Sequence, residues 1–458
     1  MTAGREWKVV LLFTLPIMAG NLIQQLYNTM DGIIVGNFVS ESAFAAVGTT
    51  QPLTLLFLSL ATGLSVGVGI VISQYFGAKK HDELPVAIDT AVILLGACGL
   101  AFTVIAVVIT PPLLRTLLDV PQDILPMSIL YFRIYALGLF FQFVYNGIAA
   151  VLRGLGDSRS TLYFLAVAMV FNTLLTLLFV VVFKWGVAGA ASATVIAQAL
   201  CVAISFIYLR KRFPYVKAGP HWDRGISLLM ARLGLPIAVQ MGIISIGNGS
   251  MYRLVNGFSD STPGIIAAYS SAMRLDALIY VPIMGFQSGL ASFTGQNMGA
   301  GRLDRVRRGF AATLIMSTII TVFLCSLFYI FAEPVVGFFG LGDGALAIGV
   351  ENIRFMTLFF WLFSCYIVLG GVLQGAGDTI LQSAATLTAL VVRIVAGYTA
   401  VYMGWLGYEA AWVVTPVGWM FAIVIAYTRY FTGGWKKKAI AGTLQHEKGQ
   451  REDPQEAT

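Results

Sequence analysis

GLSVGVGIVISQYFGA, residues 63–78, returns at 285–300 as GFQSGLASFTGQNMGA. Glycines 63, 67 and 77 meet 285, 289 and 299, and Gln74 meets Gln296. Leu15-Pro16-Ile17 likewise recurs as Leu235-Pro236-Ile237, LRGLGD (152–157) as LQGAGD (373–378), and Arg133 as Arg354. The offset stays at 220–222 throughout. One such match could arise by chance; a whole set in register is an internal duplication.

Composition says where the duplicated unit lives. Of 458 residues, 58% are hydrophobic and 11% charged, and mean hydropathy is +0.81. A soluble chain carries about 25% charged residues. The apolar runs are about 20 residues long and do not alternate, which predicts an all-α integral membrane protein rather than a β-barrel. The first apolar run is long and polar-striped and has no small-residue cleavage site, so no cleavable signal is expected. Twelve spans can be drawn, the fourth over 127–152 and the tenth over 350–373. Six spans per repeat give both halves the same orientation. They become parallel repeats about a pseudo-twofold axis along the membrane normal, a transporter architecture. The expected bounds are an N-lobe at 1–209, a linker at 210–229, a C-lobe at 230–433 and a tail at 434–458.

Charge sets the orientation. Arg and Lys gather in the N-terminal segment, in alternate loops (Lys79 and Lys80; Arg153 and Arg159; Arg210, Lys211 and Arg212; Arg302, Arg305, Arg307 and Arg308) and at Lys436–Lys438. The other loops carry almost none, so both termini are expected in the cytoplasm of an inner or plasma membrane. This placement accounts for the net charge of +7 without nucleic acid. Cys98, Cys201, Cys325 and Cys365 all fall in apolar spans without metal-ligand spacing, and His81, His221 and His446 fall in loops or tail. No nucleophile–base pair, metal centre or nucleotide-binding loop is written in the chain, which argues against an enzyme.

The first span carries the sharpest polar feature. Asn21, Gln24, Asn28 and Asp31 recur at i, i+3, i+7 and i+10, on one helical face. A carboxylate in a span costs at least ~2.5–3.5 kcal/mol on insertion scales, so Asp31 should face a bundle interior or wet cavity. Low dielectric disfavours the charged carboxylate, so a proton gradient can load and unload it. Asp31 is therefore the expected coupling carboxylate, with Gln24 and Asn28 lining its pocket. Asp276 is a second acid within a span, an ion or substrate carboxylate. Arg133 and Arg354 are read as structural, snorkelling outwards or clamping helix ends. Arg393 falls at the place repeated from Asn172 and puts a cation in the second half. Gly154, Gly156, Gly375 and Gly377 are expected to turn the chain before helix-capping Asp157 and Asp378, and Gly63, Gly67, Gly69, Gly285 and Gly289 to permit close helix approach.

LPIMAGNLIQQLYNTMDGIIVG (15–36), SQYFGAKK (73–80), LRGLGDSRSTLYF (152–164), RLDALIYVPIMGFQSGLASFTGQNMGAG (274–301) and LQGAGDTILQS (373–383) together resemble the multidrug and toxic compound extrusion (MATE) transporters, closest to the DinF-like branch. The resemblance implies two six-helix lobes that open to one side at a time. It implies export of organic cations and drugs against inward H⁺ or Na⁺, with no cofactor. The spacing from Pro16 to Asp31 matches that branch, whose first helix is thought to bend at the proline on protonation. Its pocket partners would fall on Tyr131, Asn146, Asn172 and Thr194. The branch's second aspartate falls on Thr176 here, reducing the pair to one acid. Asp276 matches one C-lobe carboxylate of the NorM-like branch; the other falls near Phe363, which cannot ligate an ion.

The reading that results is a cation-coupled antiporter, H⁺ favoured, working as a monomer among membrane lipids. Two alternatives stand beside it: a flippase for a lipid-linked precursor or polysaccharide, which Arg393 favours and Asp31 opposes, and a Na⁺-coupled drug antiporter. Tyr27 and Tyr131 are candidates to hold flat cations by their π faces.

Overall fold

The structure, a computed structural model, describes residues 1–118, 120–213 and 221–439, with residues 26–29, 31–33, 41 and 117 described in backbone alone. Parts of the expected linker and tail therefore lie outside the described residues. No strand occurs among those described. Among the described residues ten helices are long and apolar enough to cross a membrane, or twelve spans result when each of two bent helix pairs counts as one.

In chain order the helices are α1 (Glu6–Phe38), α2 (Glu41–Gly77), α3 (Leu84–Pro112), α4 (Leu125–Leu137), α5 (Leu139–Gly154), α6 (Arg159–Leu177), α7 (Gly186–Arg212) and α8 (Arg224–Asn256). There follow α9 (Ile265–Gly299), α10 (Leu303–Ile330), α11 (Ala332–Gly337), α12 (Asp343–Thr357), α13 (Phe360–Ala376), α14 (Thr379–Tyr402), α15 (Ala410–Val413) and α16 (Thr415–Thr432).

The fourth and tenth spans, expected to be continuous, are broken. α4 and α5 meet at 41°, and α12 and α13 at 51°. Neither break holds a proline. At both, the hydrogen bonds tighten to three-residue steps: Gly138 N–H to Tyr135 O at 2.8 Å, Leu358 N–H to Phe355 O at 3.2 Å and Phe359 N–H to Met356 O at 3.0 Å. At Gly138 a Cβ would lie 3.0 Å from Tyr135 O and 2.5 Å from Gln198 Oε1, so a side chain there fits only if the end of Gln198 moves aside.

Compact packing divides the chain into Leu15–Met241 and, as the other unit, Met1–Thr14 with Gly242–Thr458. This division differs from 1–209 and 230–433 because α1 and α8 each change unit partway along. The glycines of the repeat give the reason. Within Leu15–Met241, Gly67 of α2 lies so close to α8 that a Cβ would stand 2.1 Å from Met230 O, and one on Gly63 2.3 Å from Ala238 Cα. In the other unit a Cβ on Gly289 of α9 would stand 2.1 Å from Thr14 Oγ1 of α1. Gly67 and Gly289 are repeat mates, as are Gly234 and Thr14, so the same backbone crossing is built twice. Gly69 makes no such approach; its nearest neighbour is at 3.7 Å. The first residues join their unit through Glu6, which accepts from Arg305 at 3.3 Å and Arg308 at 3.1 Å.

The paired LRGLGD and LQGAGD ends are also one device used twice. Gly156 (φ +93°) and Gly377 (φ +91°) take the left-handed conformation that favours glycine. The next amides then reach back, Asp157 N–H to Leu152 O and Asp378 N–H to Leu373 O, both at 2.8 Å. Asp157 goes on to cap α6, accepting from Ser160 N–H at 3.1 Å. Asp378 differs: it pairs with Arg429 at 2.7 Å.

Candidate transport site

Inside Leu15–Met241 two groups of polar side chains, one buried and one largely half-buried, are joined by hydrogen bonds between helices. Asn172 of α6 donates to Thr194 Oγ1 of α7 at 3.4 Å, and Thr194 donates to Ala190 O at 3.1 Å. Thr176, one turn past Asn172, is buried with them. The second group centres on Gln142 of α5. Its Oε1 accepts from Tyr135 O–H at 3.2 Å and Gln198 Nε2 at 3.4 Å, and its backbone O accepts from Asn146 Nδ2 at 2.8 Å. Tyr131 and Tyr135 stack with ring centroids 6.3 Å apart. Both rings share a core with Ile34 and Val35 at the end of α1 and with Ala190 of α7. Polar groups without water demand partners; here helices α4, α5, α6 and α7 supply them in a wall that is otherwise apolar.

Of the expected pocket residues, Tyr131, Asn172, Thr176 and Thr194 are buried and Asn146 is half-buried within one unit, with Asn172 bonded to Thr194. Gln24 is half-buried on α1, and α1 runs unbroken through a half-buried Pro16. The side chains of Asp31, Asn28 and Tyr27 lie outside the described residues. Tyr135, Gln142 and Gln198 were not foreseen. Their signal was present: Gln142 and Asn146 on α5, and Thr194 and Gln198 on α7, are each spaced i, i+4.

In the unit containing Gly242–Thr458, Asp276 of α9 is 2% exposed and its Oδ1 has no hydrogen-bond partner. Arg274, two positions earlier, is exposed and forms no ion pair among the described residues. Tyr280, Cys325 and Arg393 lie within electrostatic reach of Asp276. Phe363, where the second NorM-type carboxylate would fall, packs edge-on to Tyr280 at 4.7 Å and against Trp419 at 5.1 Å. An aromatic cluster therefore occupies the place of the second ligand. Among the described residues no group of three His, Cys, Asp or Glu side chains could hold a metal ion. Arg393 of α14 donates to Asn248 Oδ1 at 3.4 Å, Tyr269 O–H at 3.3 Å and Ala411 O at 3.4 Å. Arg133 and Arg354 are both exposed, and Arg354 covers the ring of Tyr329 at 5.9 Å. Neither arginine belongs to an interior pocket.

Two helical units of duplicated sequence, each with polar groups buried among apolar spans, define a polytopic membrane transporter. The MatE family model matches residues 16–178 and 236–399, once in each repeat. The chain belongs to the MatE family. It is 30% identical to the probable multidrug resistance protein YpnP of Bacillus subtilis strain 168, over 95% of this chain and 97% of that one. It is 24% identical to an FAD transporter of Shewanella oneidensis, over 72% of this chain and 74% of that one. Among solved structures, an outward-facing multidrug resistance MATE transporter of the MOP superfamily aligns with a TM-score of 0.86 at 24% identity, covering 95% of this chain and 97% of that one. That likeness shows the fold. The family's members are transporters, and this chain is a multi-pass membrane transporter of the multidrug efflux type.

Proposed function

We propose that this chain is an H⁺-coupled antiporter that exports organic cations and drugs by alternating access, seated in the cell membrane with both termini in the cytoplasm. The observation that carries the reading is the paired polar network inside Leu15–Met241. Asn172–Thr194 is buried, Tyr135–Gln142–Gln198 is partly buried, and Tyr131 and Tyr135 stack and share a core with Ala190 of α7. Aromatic faces hold flat cations, and fixed amides and hydroxyls orient them. Sequence spacing puts Asp31 one turn before Ile34 and Val35, which share a core with those rings. An acid there attracts a cationic drug when ionised and releases it when protonated. A drug and a proton that compete for one carboxylate produce antiport, because each site empties on the side where its competitor is abundant.

The family resemblance and the relatives named as multidrug resistance proteins support drug-sized substrates. The aromatic cluster that replaces a second C-lobe ligand supports H⁺ over Na⁺. The test is efflux of a fluorescent cation from energised vesicles. Export that a protonophore abolishes supports the reading. Export that persists without a pH gradient and follows Na⁺ contradicts it.

A further inference from the structure

The charge within a span that the proposed mechanism leaves unused is the half-buried Arg393. It stands midway along α14, within a membrane span, and its three hydrogen bonds all go to uncharged groups: Asn248, Tyr269 and the carbonyl of Ala411. Its Nε is buried without a partner. No ion pair joins it to an acid among the described residues. Asp276, two helical turns from Tyr269 on α9, is the acid within its electrostatic reach. A guanidinium in a span whose hydrogen bonds all go to neutral groups, with an acid in reach but no ion pair to it, keeps bonding capacity for an anion, and charged residues in spans mark ligand or ion pathways.

The internal repeat says what kind of place this is. Arg393 is the mate of Asn172, Ala411 of Ala190 and Thr415 of Thr194, each at an offset of 221. In one unit Asn172 bonds Thr194 and Thr194 bonds Ala190; in the other Arg393 bonds Ala411. Asn248 is the mate of Asn28, and Asn352 of Tyr131. At the mate of Asn172 the second unit thus carries a cation. Buried polar atoms at or beside the other mates have spare bonding capacity. Thr415 is 4% exposed, Asn352 2% and Trp412 2%, and Thr415 Oγ1, Asn352 Oδ1 and Trp412 Nε1 have no partner.

We infer that the pocket formed by Arg393, Asn248, Tyr269 and Thr415 binds an anionic group, a carboxylate or phosphate, so that the transporter accepts molecules carrying an acid as well as neutral or cationic ones. This rests on the transporter reading and adds a substrate class to it. The donors available are the guanidinium Nε and the Thr415 hydroxyl, and charge-assisted bonds to a guanidinium are strong away from water.

Equilibrium binding to the purified full chain tests it without any ion gradient. The probes are a rhodamine with a free carboxylate and its methyl ester, read by fluorescence anisotropy. Arg393→Gln is expected to weaken the carboxylate dye about tenfold or more, with the methyl ester within about twofold of wild type. Arg393→Lys should retain much of the carboxylate affinity. Asn248→Asp is the second variant, should Arg393→Gln fail to fold: it sets an internal acid against Arg393 and should exclude the carboxylate dye to a similar degree. Phosphatidylglycerol that competes with the carboxylate dye in wild type, and not in Arg393→Gln, assigns the site to a lipid phosphate. Its failure to compete assigns the site to an acid on the transported molecule. Equal losses for both dyes, no loss for either, or a wild type that binds neither overturns the inference. Failure to bind the methyl ester alone counts against cation export, and the Arg393 dependence of the carboxylate dye is then read by itself.

Discussion

Asp276 shows how a single side chain can be placed by sequence and still be understood only from its neighbours. It is buried, one carboxylate oxygen is unpartnered, Arg274 two positions earlier is exposed, and Arg393 of α14 lies within electrostatic reach without an ion pair. A buried acceptor without a donor costs about 1–3 kcal/mol, and more when charged. Asp276→Asn, which keeps the shape and removes the charge, should therefore unfold at the same temperature as wild type or a few degrees higher at pH 8. A clear drop would mean that a partner holds the charge. With Phe363 in an aromatic cluster, raising Na⁺ at constant ionic strength should leave the unfolding temperature unchanged. A Na⁺-dependent rise that Asp276→Asn removes would contradict H⁺ coupling. Asn172 and Thr194 were legible together through the family motifs. Gln142 and Gln198 were not, because their role depends on which faces of α5 and α7 meet, and helical spacing alone does not say which neighbour a face finds.

Helices α2 and α9 carry the crossings that the repeated glycines allow. Nothing larger than hydrogen fits at Gly67, where a methyl group would strike a backbone oxygen at 2.1 Å, and at Gly289 a methyl would strike the Thr14 hydroxyl at 2.1 Å, so Thr14 would have to turn away. Gly67→Ala and Gly289→Ala should each destabilise by about 1–3 kcal/mol, the usual cost of overpacking. Gly69→Ala, with its nearest contact at 3.7 Å, should be tolerated. Thermal unfolding of the three purified variants checks this, and equal effects at all three positions would refute the crossing account. The glycine spacing was readable because duplication marked which glycines matter. The breaks at Gly138 and at Leu358–Phe359 were not, because both sit in apolar runs without proline. An apolar run of span length looks the same whether its hydrogen bonds keep a four-residue step or tighten for one turn.

At the level of the whole chain, duplication and charge placement carried most of what could be read in advance: an all-α membrane protein, two repeats of six spans, a transporter. The assignment of helices to units was less legible. α1 and α8 change unit at Thr14–Leu15 and at Met241–Gly242, inside continuous helices, and sequence marks loops more clearly than it marks which neighbour a helix faces. Topology has its own test. A single cysteine at Lys437, in a chain whose four native cysteines are replaced, should react with an impermeant maleimide only in inside-out vesicles. Labelling in right-side-out cells would reverse the orientation.

The central claim is that one acid on α1 exchanges a proton for a drug. The most direct test is fluorescent-cation efflux driven by an imposed pH gradient in proteoliposomes, comparing wild type with Asp31→Asn at matched incorporation. The account predicts that the variant folds, unfolds within a few degrees of wild type and falls to the rate of protein-free vesicles, at least tenfold below wild type. Gradient-driven efflux by Asp31→Asn at the wild-type rate would contradict it.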